Sequence, residues 1–462
     1  MMPWHPSSSE GTPDITRDAL RTFSDGFPAA VLQGAELRLD ANHHEPYTHY
    51  LFKFPAKFHP PLIRWLITNY SRPGSLVVDP AVGSGTTLVE SIVLGRSAVG
   101  LDVDPLSCYI ARAKSEPLNP RILYQHWESL LADLDEHERA PRRYEQLKYP
   151  NADISHGTFR RQARGLPVPE IPNLLHWFRR YVVIDLAHIR AAIESLNAPP
   201  RYRRFFLACF AAIIRRCSNA DPTPVSGLEV TRYMRELDSR GRLINPYRLF
   251  RQKVTGEIAS MASLSDATSP SASARVILGN ALHLRETWQR NRLDLADLVV
   301  TSPPYCNAVE YNRRHKLEMF WLDLVDSSEA LTAMSQNYIG RRWRHTTDGV
   351  RTTPTLTNTL AAVEKRSEQR ANALRSYFGE MDRFLSSSAA ILKRRRRCIV
   401  VVGDSVARGV QVPTHQIIGE LGQRYLDLEL HFSYEIRNRY MQYFRRNGAN
   451  IKRDHVLVFK KR

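Results

Sequence analysis

A chain of 462 residues is long enough for two or three domains, and a 43% apolar fraction can supply their cores. Lys and Arg number 65 against 47 Asp and Glu, a formal net charge of +18, which favours a polyanionic partner over an acidic one. The five cysteines (Cys108, Cys209, Cys217, Cys306, Cys398) have no zinc spacing, and MMPWHPSSSEG has no signal-like apolar stretch. With no apolar run of ~18 residues to span a membrane, the expected setting is a reducing cytoplasm.

Residues 1–45 read as a loosely ordered leader. A Pro-punctuated aromatic and basic loop follows, Phe52-Lys53-Phe54-Pro55-Ala56-Lys57-Phe58-His59-Pro60-Pro61, and then a helical pattern of Leu62, Ile63, Leu66 and Ile67. Ser75–Thr87 reads as strand, glycine-rich turn and helix start, with Asp79-Pro80-Ala81 ahead of Gly83, Gly85 and Thr86. Glycines let a backbone approach a ligand closely and open a helix N-terminus toward it. Ser97–Asp102 is a second strand ending in an acid, and a carboxylate there can accept both hydroxyl protons of a ribose. Asp102 follows Gly85 by 17 residues, near the ~20 of the dinucleotide fingerprint, so spacing alone leaves NAD open. Asp104 either shares the ribose or caps the helix starting at Pro105.

Residues 117–270 lose the αβ rhythm and show long helical patterns, among them Trp127–Asp135, Leu174–Leu196 and Arg203–Arg216. Residues 141–260 hold roughly twenty basic side chains against about ten acidic ones. Arg160-Arg161, Arg179-Arg180, Arg203-Arg204 and Arg215-Arg216 are interleaved with Tyr202, Phe205 and Phe206. They suit either a phosphate-gripping module or amphipathic helices with solvated arginines. Ser218–Pro222 reads as a turn, facing DNA or plain, and 262–273 as a Ser/Ala-rich linker.

The rhythm resumes with a third strand at Arg275–Ala281, a helix at Leu282–Arg292, and an apolar strand Leu298-Val299-Val300 led by Asp297. That strand runs into Thr301-Ser302-Pro303-Pro304-Tyr305. Two prolines stiffen the backbone, so the corner presents the Ser302 hydroxyl, the Pro303 carbonyl and the Tyr305 ring. Two acceptors beside a flat apolar face suit a planar group carrying an NH2. Cys306 reads as a bystander, Arg313–Leu324 as a helix, and 335–370, with Arg341-Arg342-Trp343-Arg344-His345 and a Thr-rich run, as either a mobile loop that closes on DNA or a plain surface excursion. Arg394–Arg397 suit either a phosphate grip or a basic turn entering a buried strand at Cys398–Ser405. Leu428–Tyr434 and Asp454–Lys461 read as a last strand pair. The connection Arg437–Lys452, with Tyr440, Arg445, Arg446, Asn450 and Lys452, is a candidate to hold a flipped base.

Ser302–Tyr305 resembles the (D/N/S)-P-P-(Y/F) motif of S-adenosylmethionine-dependent amino methyltransferases of DNA, the Ser form being similar to the cytosine-N4 branch. DPAVGSGTT followed by GLDVDP resembles that family's cofactor motif. The resemblance covers roughly 45–115 and 270–462. It implies an α/β fold, a Rossmann-like methyltransferase sheet with helices on both faces plus a mostly helical inserted domain. Residues 46–116 would form the cofactor-binding half, 117–270 a target-recognition insertion and 271–462 the catalytic half. It implies S-adenosyl-L-methionine held by Phe54, Lys57, Phe58, Asp79, Pro80, Ala81, Gly83, Gly85, Thr86, Asp102 and Asn280. Phe54 or Phe58 would wall the sulfonium and Lys57 meet the carboxylate. Asn280 stands where the family often has an acid, and its side-chain carbonyl can still accept from the adenine amino group. Ser302, Pro303, Pro304 and Tyr305 would be catalytic, with no metal. The implied function is cytosine-N4 DNA methylation. The alternatives are adenine-N6 methylation, an RNA base methyltransferase and a non-catalytic nucleic-acid binder. A glutamine methyltransferase is disfavoured by Ser302 and by the basic charge. DNA is the expected partner, with a cognate restriction endonuclease or other defence proteins possible companions.

Overall fold

The structure is a computed structural model that describes residues 21–23, 28, 30–40, 45–54, 57–138, 144, 147, 149, 152–222, 228–306, 311–340, 351–437 and 453–462. The strands are β1 (Arg21–Phe23), β2 (Glu36–Asp40), β3 (Leu76–Asp79), β4 (Ser97–Asp102), β5 (Ala274–Leu278), β6 (Ala296–Thr301), β7 (Leu392–Gly403), β8 (Ser405–Ala407), β9 (Val410–Val412), β10 (Asp427–Arg437) and β11 (Asp454–Lys460). The helices are α1 (Pro60–Tyr70), α2 (Thr86–Val93), α3 (Pro105–Ser115), α4 (Pro120–Glu138), α5 (His156–Gln162), α6 (Leu174–Trp177), α7 (Arg180–Ser195), α8 (Pro200–Cys217), α9 (Arg232–Ser239), α10 (Pro246–Ala267), α11 (Leu284–Asn291), α12 (Tyr311–Arg314), α13 (Lys316–Trp321), α14 (Ser328–Ser335), α15 (Pro354–Glu364), α16 (Glu368–Ala390) and α17 (Thr414–Gly422).

Nine strands form one sheet in the order β1-β2-β10-β11-β7-β6-β3-β4-β5, and β8 pairs with β9 in a separate ribbon. All neighbours in the sheet are parallel except β11, which runs against both β10 and β7. The central strands are β-branched and buried on both faces, as a doubly covered parallel sheet demands. Alternation decides which face each residue serves. Val77, Leu298 and Ile399 pack under Leu62, Ile63 and Leu66 of α1. Val78, Val299 and Cys398 pack on the other face with Leu374, Phe378 and Phe384 of α16 and Ile417 of α17. This is a Rossmann-like α/β fold with helices on both faces.

After β3 the chain winds outward through β4 to β5, then returns to place β6 on the other side of β3. The C-terminal ends of β3 and β6 therefore flank the point where strand order reverses. Open α/β sheets bind ligands in the crevice at that point.

Helices α4 to α10 lie between β4–α3 and β5 in sequence. Their core is continuous with Val89, Leu106 and Ile110 of α2 and α3 and with Phe320 and Trp321 of α13. Tyr202, Phe205 and Phe206 belong to that core and are buried, so they form no aromatic surface between the arginines. Arg179 pairs with Asp238 at 2.8 Å, Arg180 with Asp153 at 3.5 Å and Arg204 with Glu116, so three of the eight paired arginines are tied into the fold.

Several expectations are corrected. Residues 36–40 are not a loose leader: β2 joins β10 in the sheet and buries Leu37 and Leu39, while residues 1–20 lie outside the described residues. Arg394–Arg397 belong to β7 and not to a turn, with Arg396 near Asp297 and Arg397 on Glu429. The first half of the expected linker at 262–273, residues 262–267, is the end of α10. Much of 351–370 is helical, because Thr353 and Ser367 cap α15 and α16 and Pro354 sits at the first helical position. The long pattern over 174–196 breaks at Phe178, whose extended backbone sends its buried ring against Trp321. Strand β5 stops at Leu278, short of Ala281, where Asn280 caps a short 3-10 turn. Residues 341–350 and 438–452, with the basic runs expected to contact DNA, lie outside the described residues.

Candidate active site

Asp79 ends β3 fully buried, and local chemistry occupies both its oxygens. Oδ1 accepts from the Ala81 amide at 3.1 Å and Oδ2 from the Thr87 hydroxyl at 2.6 Å. Burial pushes its carboxyl up to about 6. Gly83 and Gly85 both take positive φ, +48° and +82°, and Gly85 caps α2. A Cβ on Gly85 would lie 2.9 Å from the Ala111 backbone, so the turn lies directly on α3. The Phe54 ring stands over it, 3.5 Å from where a Gly83 Cβ would be, and against the buried His315 ring at 5.1 Å.

Asp102, at the tip of β4, accepts the Gly83 amide at Oδ2 (2.9 Å) and the Asp104 amide at Oδ1 (3.0 Å). Each oxygen retains a lone pair, which is what a diol needs. Burial, and next the neighbouring Asp104 carboxylate, raise Asp102 to about 7. Asp104 itself is the cap of α3: Oδ1 accepts from Leu106 and Ser107 amides, and Oδ2 from the Tyr338 hydroxyl at 2.8 Å. Leu278 pairs with Asp102 across the sheet, and Gly279 donates to the Asp102 carbonyl at 2.8 Å. Asn280 follows, its side-chain oxygen accepting from the Leu282 amide at 2.9 Å. It lines a cleft of about 370 Å³ with Ile277, His283 and Thr287.

The structure places Lys57 and Phe58 differently from Phe54. Lys57 Nζ donates to the His49 carbonyl at 3.2 Å, lies 4.1 Å from the Tyr50 ring centre, and is lowered to about 8 by burial. Phe58 packs against the α1 core. Pro55 and Ala56 between them are outside the described residues.

The second half of the site is the corner after β6. Pro303 is buried, while Ser302, Pro304 and Tyr305 are part-exposed. Two long-range hydrogen bonds hold it: Tyr377 donates to the Pro304 carbonyl at 2.9 Å, and the Tyr305 hydroxyl donates to Asp454 at 3.1 Å. Cys306 is buried, and burial raises its thiol above the usual range, so it is no activated thiolate. Tyr338, Tyr377 and Asp454 carry no motif. Only the fold brings them to the two halves.

The N6-N4 Mtase family, described as DNA methylase, matches residues 21–113, the segment carrying Phe54, the glycine turn and Asp102. The Type II methyltransferase M.MvaI of Kocuria varians is 23% identical over 397 residues, covering 82% of this chain and 81% of the relative. The chain is similar to amino methyltransferases of the N4/N6 type. S-adenosyl-L-methionine is its methyl donor, and the positive-φ turn, the lone pairs left on Asp102 and the Asn280 cleft fit that group. The Type II methyltransferase M.BsoBI of Geobacillus stearothermophilus is 23% identical to the methyltransferase over 59% of this chain and about half (52%) of the relative. Among solved structures, TrmN from Thermus thermophilus (TM-score 0.30, 11% identity, 88% of this chain, 49% of that one) and the rRNA methyltransferase aviRa from Streptomyces viridochromogenes (TM-score 0.30, 10% identity, 88% of each) are similar. At those scores neither adds to the assignment.

Proposed function

We propose that this protein is a site-specific DNA methyltransferase acting on the exocyclic amino group of a base, cytosine N4, with adenine N6 the second reading. One observation carries it: the glycine turn with Asp102 and the Ser302–Tyr305 corner leave adjacent parallel strands at the same edge of the sheet. The Type II relatives and the +18 charge support DNA as the substrate. The serine at the head of the diproline corner favours cytosine.

An amino group inside a duplex cannot reach this crevice, so the nucleotide must leave the stack at a cost of a few kcal/mol. The Tyr305 ring offers the face on which the base lies, held in place by its hydroxyl on Asp454. The amino lone pair is delocalised into the ring and is a weak nucleophile. Accepting its two N–H bonds at the Ser302 hydroxyl and the Pro303 carbonyl draws the nitrogen toward tetrahedral geometry and frees the pair. When bound, S-adenosylmethionine supplies an electrophilic methyl group. The Asp79 turn, Thr86 at the start of α2, Asp102 and Asn280 orient it, with Phe54 walling the turn and Lys57 a candidate cation for its carboxylate. Pro80, Ala81, Gly83 and Gly85 supply backbone close enough to touch it. Positioning provides most of the acceleration. In this reading the exposed arginines of the insertion grip phosphate, and residues 117–270 select the target.

The test is mass spectrometry of nucleosides from DNA and RNA incubated with the purified protein and methyl donor. N4-methylcytosine in DNA is expected. N6-methyladenine selects the second reading, and methylation of RNA alone overturns the DNA assignment.

A further inference from the structure

We propose that His415, His431, His455 and Asp404 form a binding site for a divalent transition-metal ion behind the catalytic corner. Four separate elements supply these groups: the residue after β7, the first turn of α17, the middle of β10 and the second residue of β11. One nitrogen from each imidazole lies within 4.8 Å of the others. The Asp404 carboxylate reaches two of them, Oδ1 to His415 Nδ1 at 2.8 Å and Oδ2 to His455 Nε2 at 3.6 Å. His431 Nε2 lies 3.0 Å from His455 Nδ1.

Donor atoms around a tetrahedral ion with bonds of about 2.1 Å stand roughly 3.4 Å apart. The three imidazoles are near that spacing, but His455 meets Asp404 through Nε2 and His431 through Nδ1, so it must commit one nitrogen and the shell closes only as the rings turn. Three imidazoles and one carboxylate are the donor set of zinc, cobalt or nickel rather than of magnesium or calcium. The His415 and His455 side chains are 15% and 14% exposed, and Asp404 is 35% exposed, so an ion can enter from solvent. The His415 and His455 rings stack in parallel, centroids 3.7 Å apart and planes 3° apart. Parallel rings aim their lone pairs side by side, so closing on one ion turns His415 out of the stack on the first turn of its helix.

A second buried cluster, Glu45, His49 and Glu90, differs in kind. There the Arg64 guanidinium already donates to Glu45 at 2.5 Å and to Glu90 at 2.8 Å and supplies the cation. Among the described residues, the ion pairs of the histidine cluster include no Lys or Arg, though the Arg453 charge acts on His455. An ion in it would pin β7, β10, β11 and α17 together. It would also fix His455, whose chain neighbour Asp454 receives the Tyr305 hydroxyl.

The probe is Co2+ added to tag-free, chelator-treated full-length protein, read by visible absorption and by calorimetric stoichiometry. One equivalent binding with a tetrahedral-type spectrum is expected, and Zn2+ should displace it and raise the melting temperature. His455→Asn and His431→Gln should each weaken binding roughly tenfold or more. His415→Gln, on the first turn of α17 and off the sheet, provides the same comparison if the strand variants do not fold. The proposal is overturned if no saturable one-to-one binding occurs, or if His415→Gln and the folded strand variants bind Co2+ as the wild type does.

Discussion

Val78 and Val299 are register partners on adjacent parallel strands, so the segments they lead into, Asp79-Pro80 and Ser302-Pro303, leave the sheet side by side, about 5 Å apart at the strand level. Sheet register alone thereby brings together the segments proposed to hold the cofactor and the amine. Ser302 lies outside the packed core and caps no helix. Ser302→Ala is therefore expected to lower single-turnover methylation about a hundredfold while leaving S-adenosylhomocysteine affinity within about twofold. Calorimetry and quench-flow separate the two, and equal loss of both would show that the serine serves folding instead.

Asp102 gives a pH prediction. Its carboxyl is raised from 3.8 to about 7 in the folded chain, by burial first and Asp104 second. A group that binds more protons folded than unfolded loses its contribution to stability as pH rises between those two values. A ribose diol donates to the charged form, so binding lowers this pKa and releases a proton. Affinity should rise up to about pH 7 and flatten above it. Calorimetry at pH 6.5 in buffers of different ionisation enthalpy should show proton release in the wild type and less in Asp102→Asn. Asp79, raised to about 6, and Asp104 supply the remainder. Asp102→Ala should weaken cofactor binding roughly ten- to a hundredfold, the value of hydrogen bonds to a charged group.

Tyr377 is a positioning residue. Its buried hydroxyl holds the Pro304 carbonyl from α16. Tyr377→Phe removes one hydrogen bond and leaves an acceptor unmet, at about 1 kcal/mol of stability. The catalytic rate constant should fall about tenfold with KM for the cofactor unchanged, because only the corner loosens. A fall in melting temperature with an unaltered rate would assign the bond to stability alone.

Arg64 neutralises two buried carboxylates, Glu45 and Glu90, and Glu90 also meets the buried His49 at 2.7 Å. Arg64→Met leaves both acids uncompensated. The expected loss is about 3 kcal/mol, at the low end for a buried pair because the arginine side chain is a third exposed (36%). Urea unfolding measures it, and Glu90→Gln in the Arg64→Met background should recover part of it.

Arg160, Arg161 and Arg164 are exposed on and just after α5, unlike the arginines tied into the fold. If they contact phosphate, replacing Arg160 and Arg161 with Ala should lower the slope of log affinity against log salt by about 2, one per contact. Filter binding across salt concentrations reads it. An unchanged slope would move the DNA surface away from this helix.

What the sequence disclosed follows from range. The turn Asp79–Gly85, the cap at Asp104 and the diproline corner are contiguous, so their chemistry is written in neighbours. The partners of those groups are not: Tyr338 meets Asp104, Tyr377 meets Pro304 and Asp454 meets Tyr305 across 234, 73 and 149 residues. No spacing rule reaches so far without the strand order. The interleaved aromatics of 202–206 left two readings open because a helix shows both faces in one line of text, and Tyr202 and Phe205 face the core. The helix at 354–364 had a legible start, Thr353 followed by Pro354, hidden by the β-branched threonines around it. Strand β2 was missed because five residues amid polar sequence give too short an alternation.

Strand β2 has a practical consequence. It covers the outer side of β10 over five register pairs, from Ser433–Glu36 to Arg437–Asp40. Trimming the protein before residue 41 would expose a row of unsatisfied backbone donors and acceptors along a long β-strand, a template for chains to stick together. Shortened versions prepared for crystallisation or expression should therefore precipitate, even though every group assigned to methyl transfer would still be present.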